Sequence, residues 1–394
     1  MKKVGVLTHY YDTVNYGGAL QAYALCQAIS ALGLECEQIS LDGGKDWRNL
    51  DRKPSPGETK LLKLFPQYRN FRRCLSRWKH RKQIREQELL LKPWREAFWD
   101  FNNRQIPHSE KVYRTCEIGD AVGRYDAFVV GSDQVWNPIW YYEPFFLTFA
   151  PSTVPKIAYA ASISQKELSE KAKQTFADHL KDFRGISVRE ENAVDLLSDV
   201  VSQPVEFVLD PTLLLKKEQW EDLTAPKMME KPYLFCYFLG NDSQMRELAK
   251  TFAREKGLTL VNIAHATAQY HETDLSFGDV QLEAPTPNEF LSWIRHAQFV
   301  FTDSFHASVF SLIFEREFFT FGRQGYKAMD SRMESLTKLF SVENRFCNTP
   351  ERMTLAYLQG QSPIAFGQNR QEYEKMLKKS MDFLKRNLET GMTK

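Results

Sequence analysis

One histidine follows a predicted strand at a position where it could act as an acid. His306 stands in the segment TDSFHAS (302–308), after the apolar run QFVF and before the helical run VFSLIF. This pattern predicts that His306 lies in the first turn of a helix, directly above a strand end. Because a helix N-terminus disfavours imidazolium, a neighbouring phosphate or carboxylate would be needed to keep the side chain protonated. The structural alternative is a buried, capped histidine without a catalytic role.

Two other predicted strands end in charged residues. Arg189 follows the strand GISV, and Asp210 follows VEFVL on the next strand along the chain. A guanidinium at the carboxyl end of a strand can make a bidentate contact with a phosphate or a carboxylate. The alternatives are a surface ion pair of Arg189 with Glu190 or Glu191, and an Asp210 that only caps the turn after it.

The run Asn15-Tyr16-Gly17-Gly18 lies between a predicted strand and a predicted helix. Free backbone N–H groups and the helix dipole at such a point favour an anion or a hydroxyl-rich ligand, and glycines let that ligand approach closely. We therefore predict that Asn15, Gly17 and Gly18 contact substrate. The spacing matches neither GxGxxG nor a P-loop, so a tight turn without a ligand is the alternative.

The segment GSDQVWNP (131–138) follows the most hydrophobic early strand and combines hydrogen-bonding side chains with an indole ring. This composition suits saccharide or carboxylate recognition, and Asp133 could act as a general base or orient a hydroxyl. The alternative is a helix capped by Ser132 or Asp133, with Trp136 in the core. The predicted contact residues are Ser132, Asp133, Gln134, Trp136 and Asn137.

The candidate residues can form one site only if the strands before them end at the same edge of a sheet. Apolar strands alternate with helical stretches along the whole chain, which predicts α/β units with parallel strands. The length of 394 residues exceeds the size of one ordinary core, so we expect two domains with a site between them. The predicted first domain covers 1–212, with a basic helical insert at about 60–103 and a C-terminal helix at 369–394. The second covers 213–368.

Composition excludes several classes of function. The net charge of +2 is too small for a nucleic-acid-binding protein, and the six cysteines form no CxxC pair or zinc-type spacing. We therefore expect no nucleic-acid partner and no metal. The N-terminal MKKVGVLTHYYD lacks the apolar core of a signal peptide, and no stretch reaches the length of a membrane span, so we expect a cytoplasmic protein.

Charge is nevertheless unevenly distributed. Residues 60–95 contain twelve Lys and Arg against two Glu, interspersed with leucine and aromatic residues. Such a segment could contact an anionic inner membrane leaflet or a lipid-diphosphate acceptor. The alternative is an ordinary solvated helix that covers the sheet.

Taken in order, the segments NYGGALQAYAL, GSDQVWNP, SVRE, VLDPT and TDSFHASVFSLIF resemble the polysaccharide pyruvyl transferase family over roughly residues 3 to 340. The resemblance implies two Rossmann-like domains facing across a cleft, as in GT-B glycosyltransferases. It also implies phosphoenolpyruvate as co-substrate, a pyruvate ketal on two hydroxyls of a hexose as product, and no cofactor. His306 matches the family's proposed general acid, Arg189 an arginine that binds the donor, and Asp210 an acidic position.

One position departs from the family pattern. Members often carry arginine two residues before the histidine, whereas this chain has Ser304. The later pattern predicts a helix that starts near Ser331, close in sequence to a strand end near His306. We therefore predict that Arg332 binds the donor in place of the missing arginine, with Arg323 and Lys327 as weaker candidates. The alternative is an exposed Arg332 paired with a neighbouring carboxylate.

Two other functions remain open at this point. The same fold could support a sugar-nucleotide glycosyltransferase, because fold alone does not determine function. The polar loops after the predicted strands are also consistent with a non-catalytic subunit that binds a saccharide. The candidate acceptors are a finished surface polysaccharide, its lipid-diphosphate-linked precursor and a nucleotide sugar.

Overall fold

The first domain is built on a parallel sheet whose central strands are apolar on both faces. The computed structural model describes residues 2–43, 46–51, 81–323, 325 and 330–389. The strands AFVV and KIAYAA are buried along their whole length, as expected for a sheet covered on both sides. Six strands form this sheet: β1 (Lys3–Leu7), β2 (Glu35–Gln38), β5 (Ala127–Val130), β6 (Lys156–Ala161), β7 (Gly185–Val188) and β8 (Val205–Phe207).

The strand order of the first sheet is β2-β1-β5-β6-β7-β8, with parallel pairing throughout. Val4 of β1 pairs with Cys36 on one side and with Ala127 on the other. The winding direction reverses beside β1, so the carboxyl ends of β1 and β5 border the crevice where open α/β sheets bind ligands. The short strands β3 (Leu41–Asp42) and β4 (Tyr113–Arg114) form a separate parallel pair.

The second domain contains another parallel sheet, of order β11-β10-β9-β12-β13-β14. Counted within this domain, the order is that of the Rossmann fold. The two sheets confirm the predicted α/β architecture with two Rossmann-like domains. The strands are β9 (Tyr233–Tyr237), β10 (Thr259–Ala264), β11 (Val280–Glu283), β12 (Phe299–Thr302), β13 (Glu317–Phe321) and β14 (Phe346–Cys347).

Helices alternate with the strands, and local capping signals determine where several of them begin and end. Thr286 and Glu289 form a capping box at the start of one helix, and Gly257 ends another with a left-handed φ of 65°. The described helices are α1 (Tyr16–Ser30), α2 (Arg81–Asp100), α3 (Glu170–Leu180), α4 (Glu191–Ser198), α5 (Lys217–Glu221), α6 (Ser243–Lys256), α7 (Pro287–His296), α8 (Phe305–Ile313), α9 (Asp330–Leu339), α10 (Leu355–Gln359) and α11 (Arg370–Glu389).

The C-terminal helix α11 returns to the first domain. Ser380 Oγ accepts a hydrogen bond from the backbone N–H of Leu209 at 2.9 Å. The ring of Phe383 packs against Tyr159 of β6, with the ring centres 6.2 Å apart. The second domain is therefore inserted between the first sheet and the last helix that packs on it.

The predicted basic insert is described only from residue 81 onward. Helix α2 contains Pro93, buries Trp94 and Phe98, and continues as a π-helical turn over Phe101–Gln105. Residues 60–80, which carry many of the basic side chains predicted to contact a membrane, lie outside the described residues. Within the described part of the chain, no helix is both long and apolar enough to cross a bilayer.

Candidate active site

Arg189 connects the residues of the candidate site. It follows β7 directly, and only 1% of its side chain is exposed. Its Nη1 donates to Oδ2 of Asp210 at 2.6 Å, and its Nη2 donates to Oδ1 of Asp133 at 2.9 Å. The alternative of a surface ion pair with Glu190 or Glu191 is therefore wrong. The buried carboxylate of Asp210 and the partly buried carboxylate of Asp133 balance the guanidinium charge and fix its orientation.

Asp210 caps the turn after it, as its sequence position suggested, and it also places a negative charge beside Arg189. Its Oδ1 accepts hydrogen bonds from the backbone N–H and the hydroxyl of Thr212, at 3.0 and 2.6 Å, and so caps the 3₁₀ turn that follows. Its Oδ2 faces Arg189. Burial alone would raise the pKa of Asp210, but the charges of His306 and Arg189 hold it well below the usual range. Asp210 is therefore a permanent anion beneath the site.

Asp133 is also ionised. Burial opposes its charge, yet Arg189 and, less strongly, His306 lower the pKa of Asp133 to about 2. A carboxylate with this pKa accepts protons poorly at neutral pH. The geometry therefore favours an orienting role for Asp133 over the predicted role of general base.

His306 comes from the second domain and meets the carboxylates of the first. It lies in the first turn of α8. Ser304 caps this helix, because its side chain accepts a hydrogen bond from the backbone N–H of Ala307. Its Nε2 is 3.6 Å from Oδ2 of Asp210, a distance for an ion pair but beyond a hydrogen bond. That nitrogen is buried and has no hydrogen-bond partner among the described residues. An acid at a helix N-terminus is expected to need a neighbouring carboxylate, and Asp210 is that neighbour.

Two arginines lie over the ring of Phe305. The guanidinium carbon of Arg189 is 4.7 Å from the ring centre, and that of Arg332 is 5.9 Å from it. Arg332 lies in the first turn of α9 and is 7% exposed, so the alternative of an exposed surface arginine is wrong. Burial and the charge of Arg189 lower the pKa of Arg332 to about 10. The structure therefore brings Arg332 to the same site as Arg189 and His306.

The weaker arginine candidate has a different partner. Arg323 donates from Nε to Oδ2 of Asp303 at 3.2 Å, and from Nη2 to the backbone carbonyl of Asp303 at 3.1 Å. The same carboxylate accepts from the backbone N–H groups of Leu239 and Gly240. Arg323 therefore braces the loops at the top of the second sheet. Lys327 lies outside the described residues.

The glycine loop caps its own helix. Asn15 Oδ1 accepts hydrogen bonds from the backbone N–H groups of Gly17 and Gly18, at 2.9 and 3.3 Å. These two N–H groups are consequently not free for an anion, which corrects the expectation for this loop. Gly17 instead lies against the imidazole of His306. The loop thus contributes the surface on which the second domain's histidine packs.

The segment after β5 is more deeply buried than predicted. Trp136 is 1% exposed, donates from Nε1 to the backbone carbonyl of Phe145, and stacks on Phe146. The predicted aromatic platform is therefore wrong, because this indole belongs to the core. Asn137 is fully buried, and its side chain caps the following 3₁₀ turn. Its Nδ2 donates a hydrogen bond to Oε1 of Gln134 at 2.9 Å.

Ser132, predicted to contact substrate, supports the charged residues from below, and it does not cap a helix as the alternative had it. It is fully buried, and its hydroxyl lies 2.8 Å from the backbone carbonyl of Ala160 and 3.1 Å from Oδ2 of Asp210. Its backbone N–H donates to Gln21 of α1. Gln134, Trp136 and Asn137 thus hold the loop that carries Ser132 and Asp133, and both of these residues contact Arg189.

Two residues near the cluster were missed by sequence reasoning. Glu190, next to Arg189, is 1% exposed, accepts hydrogen bonds from the Ser162 hydroxyl and the backbone N–H of Ile163, and has a pKa raised by burial. His9 follows β1, and burial lowers the pKa of His9. Its Nε2 is buried without a hydrogen-bond partner within the described part of the chain. Both residues follow strand ends, the signal used for Arg189.

The arrangement can protonate a bound molecule and stabilise negative charge. His306 presents a nitrogen beside a permanent anion, and Arg332 supplies a buried cation. Within the described ranges, Nε of Arg189 is buried and has no hydrogen-bond partner, although Nη1 and Nη2 are engaged. Such groups suit an anionic ligand that gains a proton during reaction.

Sequence comparison points to one family. The family profile described as polysaccharide pyruvyl transferase matches residues 15–325, a stretch that contains the glycine loop, Asp133, Arg189, Asp210 and His306. Among curated proteins, no sequence matches the chain.

Several solved structures have a similar fold but low sequence identity to this chain. S. aureus MnaA with UDP is 11% identical, with 96% of this chain and 95% of that chain covered and a TM-score of 0.48. UDP-GlcNAc 2-epimerase from Methanocaldococcus jannaschii is 10% identical, with 96% and 99% covered and a TM-score of 0.48. The Streptomyces sp. SF2575 glycosyltransferase SsfS6 is 10% identical, with 99% and 100% covered and a TM-score of 0.43.

Proposed function

Since the chain belongs to the polysaccharide pyruvyl transferase family, we propose that it transfers pyruvate from phosphoenolpyruvate to two hydroxyls of a hexose and releases phosphate. The hexose belongs to a bacterial surface polysaccharide or to its lipid-linked precursor. Family membership indicates a transferase, and the donor and the ketal product are the proposal.

The observation that carries the proposal is the meeting of His306 with two buried arginines. Phosphoenolpyruvate bears a phosphate and a carboxylate beside a carbon that must be protonated. Arg332 offers a buried positive charge, and Nε of Arg189 offers a donor that has no partner among the described residues. His306 is the acid beside them. Asp133 and Asp210 hold Arg189 in place and keep the site from carrying excess positive charge before the donor binds.

The first half of the reaction starts with a proton from His306 to the methylene carbon of phosphoenolpyruvate. The double bond supplies the electron pair, so a methyl group forms and C2 becomes an oxocarbenium-like centre. A sugar hydroxyl attacks C2 and loses its proton. The product of this half is a tetrahedral adduct that still carries the phosphate, and Arg332 stabilises the charge on that group.

The second half replaces the phosphate. The bond between C2 and the phosphate oxygen breaks, phosphate leaves with the electron pair, and a second hydroxyl of the same sugar closes the ketal. The two sugar hydroxyls release two protons in all. One restores the proton that His306 donated, and the other leaves on the phosphate. Oδ2 of Asp210 lies 3.6 Å from Nε2 of His306, so a negative charge faces the nitrogen that gives up the proton.

Phosphate release tests the proposal directly. The protein is incubated with phosphoenolpyruvate and a panel of free and lipid-linked saccharides, and the products are analysed by mass spectrometry for a pyruvate ketal. Parallel reactions contain UDP-sugars. Acceptor-dependent phosphate release with a ketal product supports the proposal. UDP release without phosphate release would assign a glycosyltransferase instead, and saccharide binding without any turnover would assign a non-catalytic subunit.

A further inference from the structure

A separate cavity lies beside the loop between β1 and α1. It has a volume of about 400 Å³, within the range of small-molecule sites. One wall is the loop itself, and the opposite wall is the end of α2 with the π-helical turn after it, a type of irregularity that often accompanies functional sites. Its lining includes Tyr10, Tyr11, Asp12, Arg95, Trp99 and His108.

The walls are joined by hydrogen bonds, so the cavity is preformed. Arg95 makes a bidentate ion pair with Asp12, at 3.2 and 2.7 Å. Asn102 Nδ2 donates to the backbone carbonyl of Thr13 at 3.1 Å, and the Tyr10 hydroxyl donates to the carbonyl of Asn102 at 2.9 Å. A ligand would therefore meet fixed polar groups, which lowers the entropic cost of binding.

Two aromatic rings at the cavity are open to solvent. Trp99 is 57% exposed and Tyr11 is 39% exposed, although large aromatic side chains usually bury most of their surface. Each ring combines an apolar face with one polar group. A pyranose has the complementary character, with apolar C–H faces for the rings and hydroxyls for the planar Arg95 and Asp12 side chains.

The charges of the cavity select against anionic ligands. Arg95 is the only lysine or arginine among the described residues that line it, and Asp12 already neutralises it. Glu110 adds a further negative charge to the lining. With two carboxylates and one guanidinium that is already paired, the lining fits a neutral sugar better than the anionic donor.

The cavity shares its loop with the candidate active site. The Oγ1 atom of Thr13, a lining residue, accepts a hydrogen bond from the backbone N–H of Asn15 at 3.2 Å. Asn15 caps α1, and Gly17 in the first turn of α1 lies against His306. We propose that the cavity is a subsite for a neutral pyranose of the acceptor saccharide, next to the sugar that is modified. The identification of this sugar as part of the acceptor rests on the proposed function. Binding of a pyranose in the cavity can be measured without catalysis.

Ligand-observed NMR tests the subsite without catalysis. Neutral methyl hexosides, offered at millimolar concentrations without phosphoenolpyruvate, should show saturation transfer from the wild-type protein. Trp99→Ala should weaken the affinity by about tenfold, and Trp99→Phe should keep most of it. Trp140→Ala removes another exposed indole, 39% exposed and outside the cavity lining, and this variant should bind like the wild type.

The outcomes separate the two proposals. No transfer to any methyl hexoside, or equal transfer from Trp99→Ala and the wild type, would overturn the subsite. If the wild type releases phosphate and Trp99→Ala keeps the same KM for an oligosaccharide acceptor, the subsite is again wrong while the proposed function stands. If the hexosides bind through Trp99 but no acceptor supports phosphate release, the proposed function fails and the sugar site remains.

Discussion

A Cβ atom on Gly17 would lie 2.7 Å from both Cε1 and Cγ of His306, and closer still to Nδ1. The two residues belong to different domains and are 289 positions apart in the chain. Glycine is therefore required at position 17 for a steric reason: it is the only residue that lets the imidazole reach its place above Asp210.

Replacement of Gly17 by alanine should displace His306 without removing a polar group. The added methyl group overlaps the imidazole ring, so either the ring or α1 must shift. A displacement of about 1 Å at a catalytic group can lower turnover by about 100-fold, and we expect a loss of that order in phosphate release. Gly119→Ala is the control, because no atom lies within 4 Å of a Cβ there. Equal activity of Gly17→Ala and Gly119→Ala would contradict the steric role.

His306 itself should be essential for turnover and dispensable for folding. We expect His306→Gln to lower acceptor-dependent phosphate release by about 100-fold or more, the usual effect of losing a positioned acid. Circular dichroism should remain that of the wild type, because Nε2 makes no hydrogen bond within the described part of the chain. His296→Gln, in the last turn of α7, serves as the control. Near-normal release by His306→Gln would remove this residue from the mechanism.

The ion pair between Asp133 and Arg189 should contribute stability that depends on pH. The pKa of Asp133 is about 2 in the folded protein, below the ordinary value near 4. A lowered folded-state pKa gives stability that is complete above about pH 4 and is lost as the pH falls towards 2, with a size of about 2 kcal/mol. The difference in Tm between the wild type and Asp133→Asn should therefore shrink below about pH 4.

Calorimetry from neutral pH to about pH 3 measures this dependence. Asp382→Asn, on the exposed side of α11, gives the background response of a surface carboxylate. A Tm difference between the wild type and Asp133→Asn that stays constant over this range would show that Asp133 is not held ionised by Arg189.

The strands could be predicted from the sequence because their apolar runs are long enough to be buried on both faces. AFVV and KIAYAA lie in the sheet as expected, and the loops after them carry polar residues. The partners of Arg189 could not be predicted, because Asp133 and Asp210 lie 56 and 21 residues away and only the strand order brings them together. The sequence marks a strand end but does not say which strands are neighbours.

Trp136 shows a second limit of sequence reasoning. An indole after a strand can face a cleft or the core, and only its neighbours decide between the two. Here Phe146, Phe176 and Phe183 surround it, and these residues come from three separate segments. Glu190 was missed for a related reason, since a charged residue beside Arg189 looks like its surface partner unless burial is known.

Arg332 provides the most specific test of how the site holds its donor. The resemblance described above implies an arginine at the position of Ser304, and here the side chain of Ser304 caps α8. Arg332 reaches the same neighbourhood from α9, over the ring of Phe305 and close enough to Arg189 for the two charges to repel. Burial and this repulsion disfavour the charged form of Arg332 before the donor binds, and an anionic donor would offset both.

We therefore expect Arg332→Ala to raise the apparent KM for phosphoenolpyruvate, with a loss of about 2–3 kcal/mol in kcat/KM, as for a removed charge-assisted contact. Arg332→Lys should restore only part of this loss, because an ammonium cannot reproduce the planar fork of a guanidinium. Arg370→Ala, at an exposed ion pair on α11, is the control. The KM for the saccharide acceptor should change little in all three variants. An unchanged KM for phosphoenolpyruvate in Arg332→Ala would instead mean that Arg189 and backbone N–H groups bind the donor without this arginine.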